Sequence, residues 1–383
     1  MSLVKVKLAE IADIQTGPFG SQLHQSDYVE HGTPIITVEH LGDDRIKREN
    51  LPLVNDDDKN RLSRYHLKEG DTVFSRVGSV DRASYVHKEE DGWLFSGRCL
   101  RVRPEPKKVD PRYLSFYLRS LQFTSYIKSI AVGATMPSIN TSLLETSPVL
   151  LVDFLQQQKI GHFLDTIERK IELNRRMNET LEQIGQALFK KYFVDNPESE
   201  NWNTGKASDL FELTMGLSPK GDTYNDDGVG VPLLNGAADF KNGLLKPSRH
   251  TSEPTRISKI GDIIFCIRGT IGNVTIGRKK YCLGRGVSAL TPIKNAQGYV
   301  YFHTQNEIER FKSSASGSVI KGLTKDDIAN VKIKQPPIEM MEEFESVASK
   351  ILSRIENIHY ENELLTQIRD SLLPKLISGE VAV

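Results

Sequence analysis

Long apolar runs, clustered cysteines and an excess of one charge are all lacking in this chain of 383 residues. Apolar stretches such as 149–152 fall far short of the ~20 residues that a membrane-spanning helix needs. The opening residues, MSLVKVKLAEIAD, contain no apolar core of the kind found in secretory signals. These absences predict a protein that stays in the cytoplasm and does not contact a membrane.

Cysteine is scarce and scattered. Cys99, Cys266 and Cys282 are the three in the chain, and no two of them form a CxxC pair. This usage favours reduced thiols over disulfides or a zinc site. The nine histidines likewise show no HExxH or other metal-ligand spacing. Acidic runs at 56–58 and 226–227 are interpreted as solvated loop charges, so we expect no metal site.

Lysine and arginine (50 residues) balance aspartate and glutamate (50 residues), which leaves a formal net charge of zero. A nucleic-acid partner would therefore need locally basic loops or the help of another subunit. Catalytic signatures are missing too: there is no Asn/Asp-Pro-Pro-Tyr/Phe run, no Gly-rich loop for S-adenosylmethionine and no GxxxxGK[ST] loop for ATP. We therefore expect a protein that is not an enzyme and that uses no cofactor.

The most regular pattern in the chain lies at 154–193 and predicts one long helix. Its apolar positions alternate in steps of four and three, as in the seam of a coiled coil. The seam runs through Ile160, Leu164, Ile167, Ile171, Asn174, Asn178, Leu181, Gly185 and Leu188. At ~1.5 Å per residue this helix would be roughly 60 Å long, more than one globular domain needs. We therefore expect it to connect two parts of the molecule.

After residue 193 the order of patterns starts again. KASDLFELTMG follows KLAEIADIQTG, KIGDIIFCIRGTIG follows KEGDTVFSRVGSV, and GSVIKGLT follows GATMPSIN. Gly17 thus pairs with Gly216, and Gly133 with Gly317. The chain is predicted to be a tandem duplication of an α+β unit, a mixed β-rich globule followed by a long helix. Within the first globule, residues 110–130 are predicted to form a single amphipathic helix with a proline near its start.

The second copy ends in a matching helix. Its seam is Ile351, Ile355, Ile358, Asn362, Leu365 and Leu372, so that Asn362 repeats Asn178. We expect the two helices to form an antiparallel intramolecular coiled coil in which the asparagines fix the register. Packing of each helix on its own globule, or a homodimer seam, are the alternatives. The predicted boundaries are 1–153 and 195–337 for the globules, and 154–194 and 338–383 for the helices.

Two similar globules on a rigid spacer suit a target with two separated sites, and DNA offers such sites. The loops of the copies differ, as in GPFGSQLHQSD against GLSPKGDTYND, which is what recognition of two different short sequences requires.

Arginines beside glycines in predicted hairpins are the main candidates for DNA contact, because glycine permits close approach to a phosphate or a guanine edge. Arg101 and Arg103 would share one face of a predicted strand, whereas Arg98 would point the other way. The alternative is a soluble hairpin with ordinary surface charges. The full candidate set is Arg76, Ser79, Arg82, Arg98, Arg101, Thr135, Ser138, Asn140, Arg268, Thr270, Asn273, Arg285 and Lys321.

Over essentially its whole length the chain resembles the DNA-specificity (S) subunits of type I restriction–modification systems. The resemblance is carried by LAEIADIQTG, by GDTVFSRVG and GDIIFCIRGTIG, by GATMPSIN and SGSVIKGLT, and by the helix endings ALFKKYF and SLLPKLISGEV. The chain departs from the family at 152–153, where a double proline is frequent, and at 156–157 and 340–341, where Glu-Gln is usual.

The resemblance implies two target-recognition domains, each of which recognises one half of a bipartite site in double-stranded DNA. The helices would act as a spacer that sets the gap between the halves. They would also dock two methyltransferase (M) subunits, and the restriction and motor (R) subunits would join that assembly. A recognition subunit of a related type II methylase–nuclease system and a duplicated protein–protein scaffold remain as alternative functions.

Overall fold

The structure, a computed structural model, describes residues 3–19, 22–241, 243–293, 295–315 and 322–382, and the backbone alone of Gln25. Its contacts divide the chain into two compact units. The first unit comprises the residues up to Leu173 together with those from Asn362 onward, and the second is Asn174–Glu361. Each of the two long helices therefore contributes residues to both units.

The described residues of the first unit contain three sheets, four short helices and parts of both long helices. Its strands are β1 (Val4–Lys7), β2 (Ala12–Thr16), β3 (Tyr28–Val29), β4 (Thr33–Ile36), β5 (Leu53–Val54), β6 (Thr72–Ser75), β7 (Ala83–Tyr85), β8 (Leu94–Phe95), β9 (Cys99–Pro104) and β10 (Pro148–Leu151). Its helices are α1 (Asp56–Arg61), α2 (Pro111–Arg119), α3 (Leu121–Ile130), α4 (Thr141–Glu145), the first half of α5 (Phe154–Phe189) and the end of α9 (Ile338–Ile377).

The second unit follows the same plan. Its strands are β11 (Thr204–Lys206), β12 (Phe211–Met215), β13 (Tyr224–Asn225), β14 (Val231–Leu234), β15 (Phe240–Lys241), β16 (Leu244–Leu245), β17 (Arg249–Thr251), β18 (Ile263–Cys266), β19 (Val274–Ile276), β20 (Cys282–Leu283), β21 (Val287–Pro292) and β22 (Lys332–Lys334). Its helices are the second half of α5, α6 (Gln297–Asn306), α7 (Ile308–Ser314), α8 (Lys325–Ala329) and most of α9 (Ile338–Ile377). One π-helical turn, Lys190–Val194, continues α5.

Strand order is the same in both units, as a duplicated sequence requires. The antiparallel sheet β2-β9-β6-β7 corresponds to β12-β21-β18-β19. A second sheet, β3-β5-β4-β8, corresponds to β13-β17-β14-β20, and in each the last pair of strands is parallel. The two-stranded antiparallel pairs β1-β10 and β11-β22 bring the start of each unit beside the strand that precedes its long helix.

The core of each unit includes the helices that pass through it. In the first unit Ile160 and Leu164 of α5 lie in one apolar cluster with Leu376 and Ile377 of α9. In the second unit Phe189 of α5 packs with residues of α6 and α9 in an aromatic-rich cluster. Burial of each such side chain contributes about 1.5–3 kcal/mol, so the ends of the helices are held by the units they enter.

The two long helices run antiparallel within each unit. In the first unit the Asn362 side-chain amide donates to the Ile171 carbonyl (3.3 Å). In the second unit Asn178 donates to the Ile355 carbonyl (3.4 Å) in the same way. Of the predicted seam, Ile160, Leu164, Ile167, Ile171, Asn178, Ile351, Ile355 and Ile358 are buried, and Leu181, Leu188, Asn362, Leu365 and Leu372 are half-buried. None of the described helices combines the length and apolar character that crossing a bilayer requires.

Residues 110–130 do not form the single helix that the sequence predicted. The chain breaks into α2 and α3 at Ser120, whose backbone is extended (ψ 148°). The Ser120 hydroxyl donates to the Tyr117 carbonyl (2.7 Å) and accepts from the Phe123 N–H (3.3 Å). Serine therefore ends one helix and caps the next, a local competition with the helical ladder that apolar periodicity does not show.

Candidate nucleic-acid interface

One end of the four-stranded sheet in the first unit gathers loops from distant parts of the chain. Thr16 pairs with Leu100, and Ser75 pairs with Cys99, so β2 and β6 end where β9 begins. The loops 17–19, 76–82 and 96–98 all lie at this end of the sheet. A fourth loop, 132–138, joins them through a hydrogen bond from the Gly78 N–H to the Pro137 carbonyl (2.8 Å). We call these four loops the first tip.

Arg76 lies at the centre of the first tip and is half-buried. Its Nη1 donates to the Gly97 carbonyl (2.9 Å), and its guanidinium carbon lies 5.2 Å from the centre of the Phe19 ring. The Arg76 backbone N–H donates to the Arg98 carbonyl (2.9 Å). A guanidinium has five N–H donors in a planar fork, so the bond to Gly97 orients the group without exhausting its donors.

The second unit builds an equivalent tip from 216–219, 267–273, 284–286 and the chain from 322. Met215 pairs with Ser288 and Cys266 with Val287 at the end of its four-stranded sheet. Arg268 is exposed and forms a β-bridge with Gly322. A Cβ at Gly322 would come within 2.9 Å of Arg268 Cγ, so the arginine stem crosses this position because no side chain stands there.

Arg285 is the other arginine of the second tip. Its backbone N–H and its Nε both point to the Ser218 hydroxyl, at 3.3 and 3.4 Å. Both groups are donors, so the hydroxyl oxygen accepts and Ser218 holds the start of the Arg285 side chain in place. The rest of the exposed guanidinium extends into solvent.

The backbones of the two tips correspond closely, but their arginines do not. Ile139 N–H donates to the Arg76 carbonyl (2.9 Å), and Leu323 N–H donates to the Ile267 carbonyl (3.0 Å). Arg76 therefore corresponds to Ile267, and Arg268 corresponds to Val77, the next residue along the strand end. Because successive side chains point to opposite faces of a strand, the two tips present their arginines differently.

Two stretches of the chain, residues 2–183 and 199–371, match the family model of the type I restriction modification DNA specificity domain. The chain belongs to this family. The match confirms the resemblance inferred from the sequence, and its occurrence in two stretches confirms the tandem duplication.

Relatives and a solved structure agree with this assignment. A protein of Methanocaldococcus jannaschii that carries a provisional name as the specificity subunit of the type I restriction enzyme MjaX is 26% identical over 373 residues, which cover 92% of this chain and 88% of that protein. The specificity subunit of HindI from Haemophilus influenzae is 23% identical over 406 residues, which cover 82% of this chain and 87% of the relative. The crystal structure of the type I S subunit of M. genitalium superposes with a TM-score of 0.60 at 16% identity, over 98% of this chain and 96% of that one. The superposition shows that the fold is that of a type I specificity subunit.

Arg101 is placed differently from the other candidate arginines. Its side chain is 3% exposed, its Nη2 pairs with Asp13 and its Nη1 donates to the Arg64 carbonyl (3.3 Å). Burial, with the nearby charge of Arg103, lowers the pKa of Arg101, and Asp71 and Asp13 act against that change. Its neighbour Arg103 is likewise bound to the Asp71 carboxylate (2.8 and 2.7 Å). Both arginines hold the sheet together. DNA contact by Arg101 stays a prediction, and its burial argues against that contact.

The remaining candidates differ in how they are placed. Ser79, Arg82, Arg98, Thr135 and Thr270 are exposed on the tips, whereas Ser138 and Asn273 are half-buried. The Ser138 hydroxyl donates to the Val132 carbonyl (3.2 Å). The Asn140 side chain accepts from the Leu143 N–H (2.8 Å) and so caps α4. Lys321 lies outside the described residues.

Two tip residues were missed by the sequence reasoning, Phe19 and Ser218. Both lie two residues beyond the glycine that ends the first matched motif of each copy, Gly17 and Gly216. The divergence of these loops was visible in the sequence. Their contacts with Arg76 and Arg285 were not, because those arginines belong to loops far along the chain. Among the described residues there is no group of three or more His, Cys, Asp or Glu side chains that could hold a metal ion.

Proposed function

We propose that this chain is the non-catalytic sequence-recognition subunit of a type I restriction–modification complex, in which each unit recognises one half of a bipartite DNA site. The observation that carries the proposal is the pair of tips. Equivalent backbones, built at the same end of corresponding sheets, present different arginines and different loop side chains. Such a design suits recognition of two different short sequences, because base edges are distinguished by a few side chains on exposed elements.

In this proposal residues 1–153 and 195–337 are the target-recognition domains. Residues 154–194 and 338–383 form an antiparallel intramolecular coiled coil that sets the gap between the half-sites. These helices also expose the apolar side chains of Leu173, Ile184, Tyr360, Leu364 and Ile368, which docked protein partners would remove from water. The partners are two methyltransferase subunits, through which the restriction subunits join.

The zero net charge supports a dependence on those partners. Non-specific DNA affinity comes mainly from neutralised phosphates. A neutral subunit should bind DNA weakly by itself and should rely on the methyltransferase subunits to enclose the duplex. Tight, salt-sensitive gel shifts by the isolated chain would contradict this dependence.

Sequencing of DNA methylation in the host with and without this gene tests the proposal. We expect the wild-type gene to produce one modified motif, two short sequences around a fixed non-specific gap, which disappears with the gene. Arg76→Ala should relax or abolish recognition in one half only, and Arg268→Ala in the other half only, because the residues belong to different units. Methylation unaffected by loss of the gene, or failure to copurify with a methyltransferase, would favour a protein–protein scaffold instead.

A further inference from the structure

Phe19 is a large apolar side chain presented to solvent by a tightly fixed loop. It is 54% exposed, although an aromatic ring is stabilised by removal from water. Gly97, in the neighbouring loop, has no room for a side chain, because a Cβ there would lie 2.5 Å from the Pro18 carbonyl oxygen and 3.5 Å from Phe19 Cα. A Cβ on Gly17 would overlap the Ser96 carbonyl in the same way. The two loops are therefore in backbone contact, and Phe19 is held at the surface by that contact.

The ring and the Arg76 guanidinium lie together on the first tip. The guanidinium lies 5.2 Å from the ring centre, and its Nη1 is bonded to the Gly97 carbonyl on the loop that abuts Phe19. Stacking and the hydrogen bond both fix the orientation of the donor fork. A fixed fork suits the O6 and N7 acceptors of guanine, and an apolar ring beside it suits the C5-methyl group of thymine in the major groove.

The second unit provides an internal comparison. Ser218 occupies the position that corresponds to Phe19, and its hydroxyl contacts Arg285. The same loop position therefore bears an arginine-contacting side chain in both copies, apolar in one and polar in the other. A position that only stabilised the tip would have no reason to differ in this way, whereas a position that selects a base would.

We propose that Phe19 is a specificity-determining residue that, together with Arg76, recognises a thymine next to a guanine in the half-site bound by the first unit. The proposal rests on the function proposed above and adds the base contact. Phe19 contacts the thymine methyl group, and Arg76 donates to the guanine. The DNA remains stacked, and the ring does not enter between base pairs.

The test uses the complex of the full chain with its methyltransferase subunits and duplexes of the motif found by methylation sequencing. Each thymine of the first half-site is replaced in turn by deoxyuridine, which removes only the C5-methyl group. One replacement beside a guanine should weaken wild-type binding about three- to fivefold, as expected for one buried methyl group. The same replacement should not change duplex binding by the Phe19→Ala variant, and it should weaken binding by the Phe19→Leu variant less than binding by the wild type. Replacement of the adjacent guanine by 7-deazaguanine should weaken the wild-type complex but not Arg76→Ala.

Leu121→Ala is the matched control, because Leu121 is 80% exposed in the same unit and lies outside the tip. It should retain the full deoxyuridine effect. A first half-site without thymine beside guanine, or a deoxyuridine effect that persists in Phe19→Ala, would overturn the proposal. Equal weakening of specific and random duplexes by Phe19→Ala would also overturn it, since it would identify a non-specific wedge. A complex that modifies no bipartite site would refute the proposed function itself, a result distinct from all of these.

Discussion

At the residue scale, the second unit contains a buried histidine, His303, in its aromatic core. His303 of α6 lies stacked on Tyr299, with ring centres 6.0 Å apart, and 6.2 Å from Phe189. Within the described residues its buried Nε2 has no hydrogen-bond partner. Burial, with the nearby positive charge of Arg310, lowers the pKa of His303 to about 4. The folded protein therefore disfavours the protonated ring.

His303→Phe should make the second unit less sensitive to mild acid. Because the folded pKa lies below the unfolded value of ~6.5, the stabilising effect is complete above pH ~6.5 and is lost as the pH falls toward 4. The phenylalanine variant has no such loss. Its free energy of unfolding, relative to that of the wild type, should therefore rise by up to about 2 kcal/mol as the pH falls from 7 to 5. Urea denaturation at both pH values measures the difference. The variant His31→Phe, at an exposed position, is the control, and parallel pH curves for wild type and His303→Phe would refute this assignment.

Local sequence could indicate which arginines lie at turns, but not what they contact. Arg76 and Arg268 lie beside the glycine turns because that pattern is contained in a few adjacent residues. The burial of Arg101 was not predictable because its partners, Asp13 and the Arg64 carbonyl, come from remote segments that only the folded sheet brings together. Strand periodicity predicted the shared face of Arg101 and Arg103, and could not tell whether that face was solvated.

At the scale of elements, the two units attach to the long helices by different chemistry. In the first unit Arg112 of α2 binds Asp44 (2.8 and 3.2 Å) and Asp165 of α5 (2.6 Å). Arg369 of α9 binds Glu168 of α5 (2.7 Å) in the same region. In the first unit α2 therefore meets α5 through a buried ion pair, and α5 meets α9 through a partly buried one.

The positions of the second unit that match the Glu168–Arg369 pair carry no charge. Leu352 and Gly185 take the places of Glu168 and Arg369 by the same offset that relates Asn362 to Asn178. The Phe302 ring occupies the space that a side chain at Gly185 would need. The duplication has thus kept the topology of this contact and exchanged its charges for aromatic packing.

Arg112→Met should destabilise the first unit by about 3–5 kcal/mol, because truncation leaves Asp44 and Asp165 buried without this partner. Arg169→Met is a close control. Arg169 also contacts Asp165 (2.6 Å) but is largely exposed, so its loss should change stability by less than ~1 kcal/mol. Chemical denaturation measures both values. Equal effects of the two substitutions would contradict the importance of the buried pair.

The pH dependence of stability should also depend on Arg112. Burial alone would raise the pKa of Asp44, but Arg119, His87 and Arg112 outweigh it and hold the pKa well below its ordinary value. A carboxylate with a depressed folded pKa stabilises the protein above its unfolded pKa, and this stabilisation is lost as the pH falls through the folded value. Without Arg112 the folded pKa of Asp44 should rise, so the loss should be smaller than in the wild type and should be complete at a higher pH.

On the scale of the whole molecule, the organisation into two similar units was predictable because the same order of sequence patterns occurs twice in the chain. The heptad spacing located the long helices, and their polar positions Asn178 and Asn362 lie against the partner helix in equivalent ways. The break at Ser120 and the assembly of each tip from four loops were not predictable. Both depend on hydrogen bonds and contacts between segments whose separation in sequence carries no periodic signal.

A paired insertion tests whether the two helices act as a ruler. One heptad inserted after Leu173 of α5 and one after Glu361 of α9 would lengthen both partners where the chain passes between the units. A heptad keeps the seam on the same face. It adds ~10 Å of helix, which corresponds to about three base pairs of DNA. The complex should therefore stop methylating the original motif and should act, where the added DNA twist is tolerated, on one whose gap is about three base pairs longer.

Insertion into one helix alone should abolish methylation of both motifs, since it misaligns the antiparallel seam. A paired variant with wild-type thermal stability that still methylates the original gap would show that the helices do not set the distance.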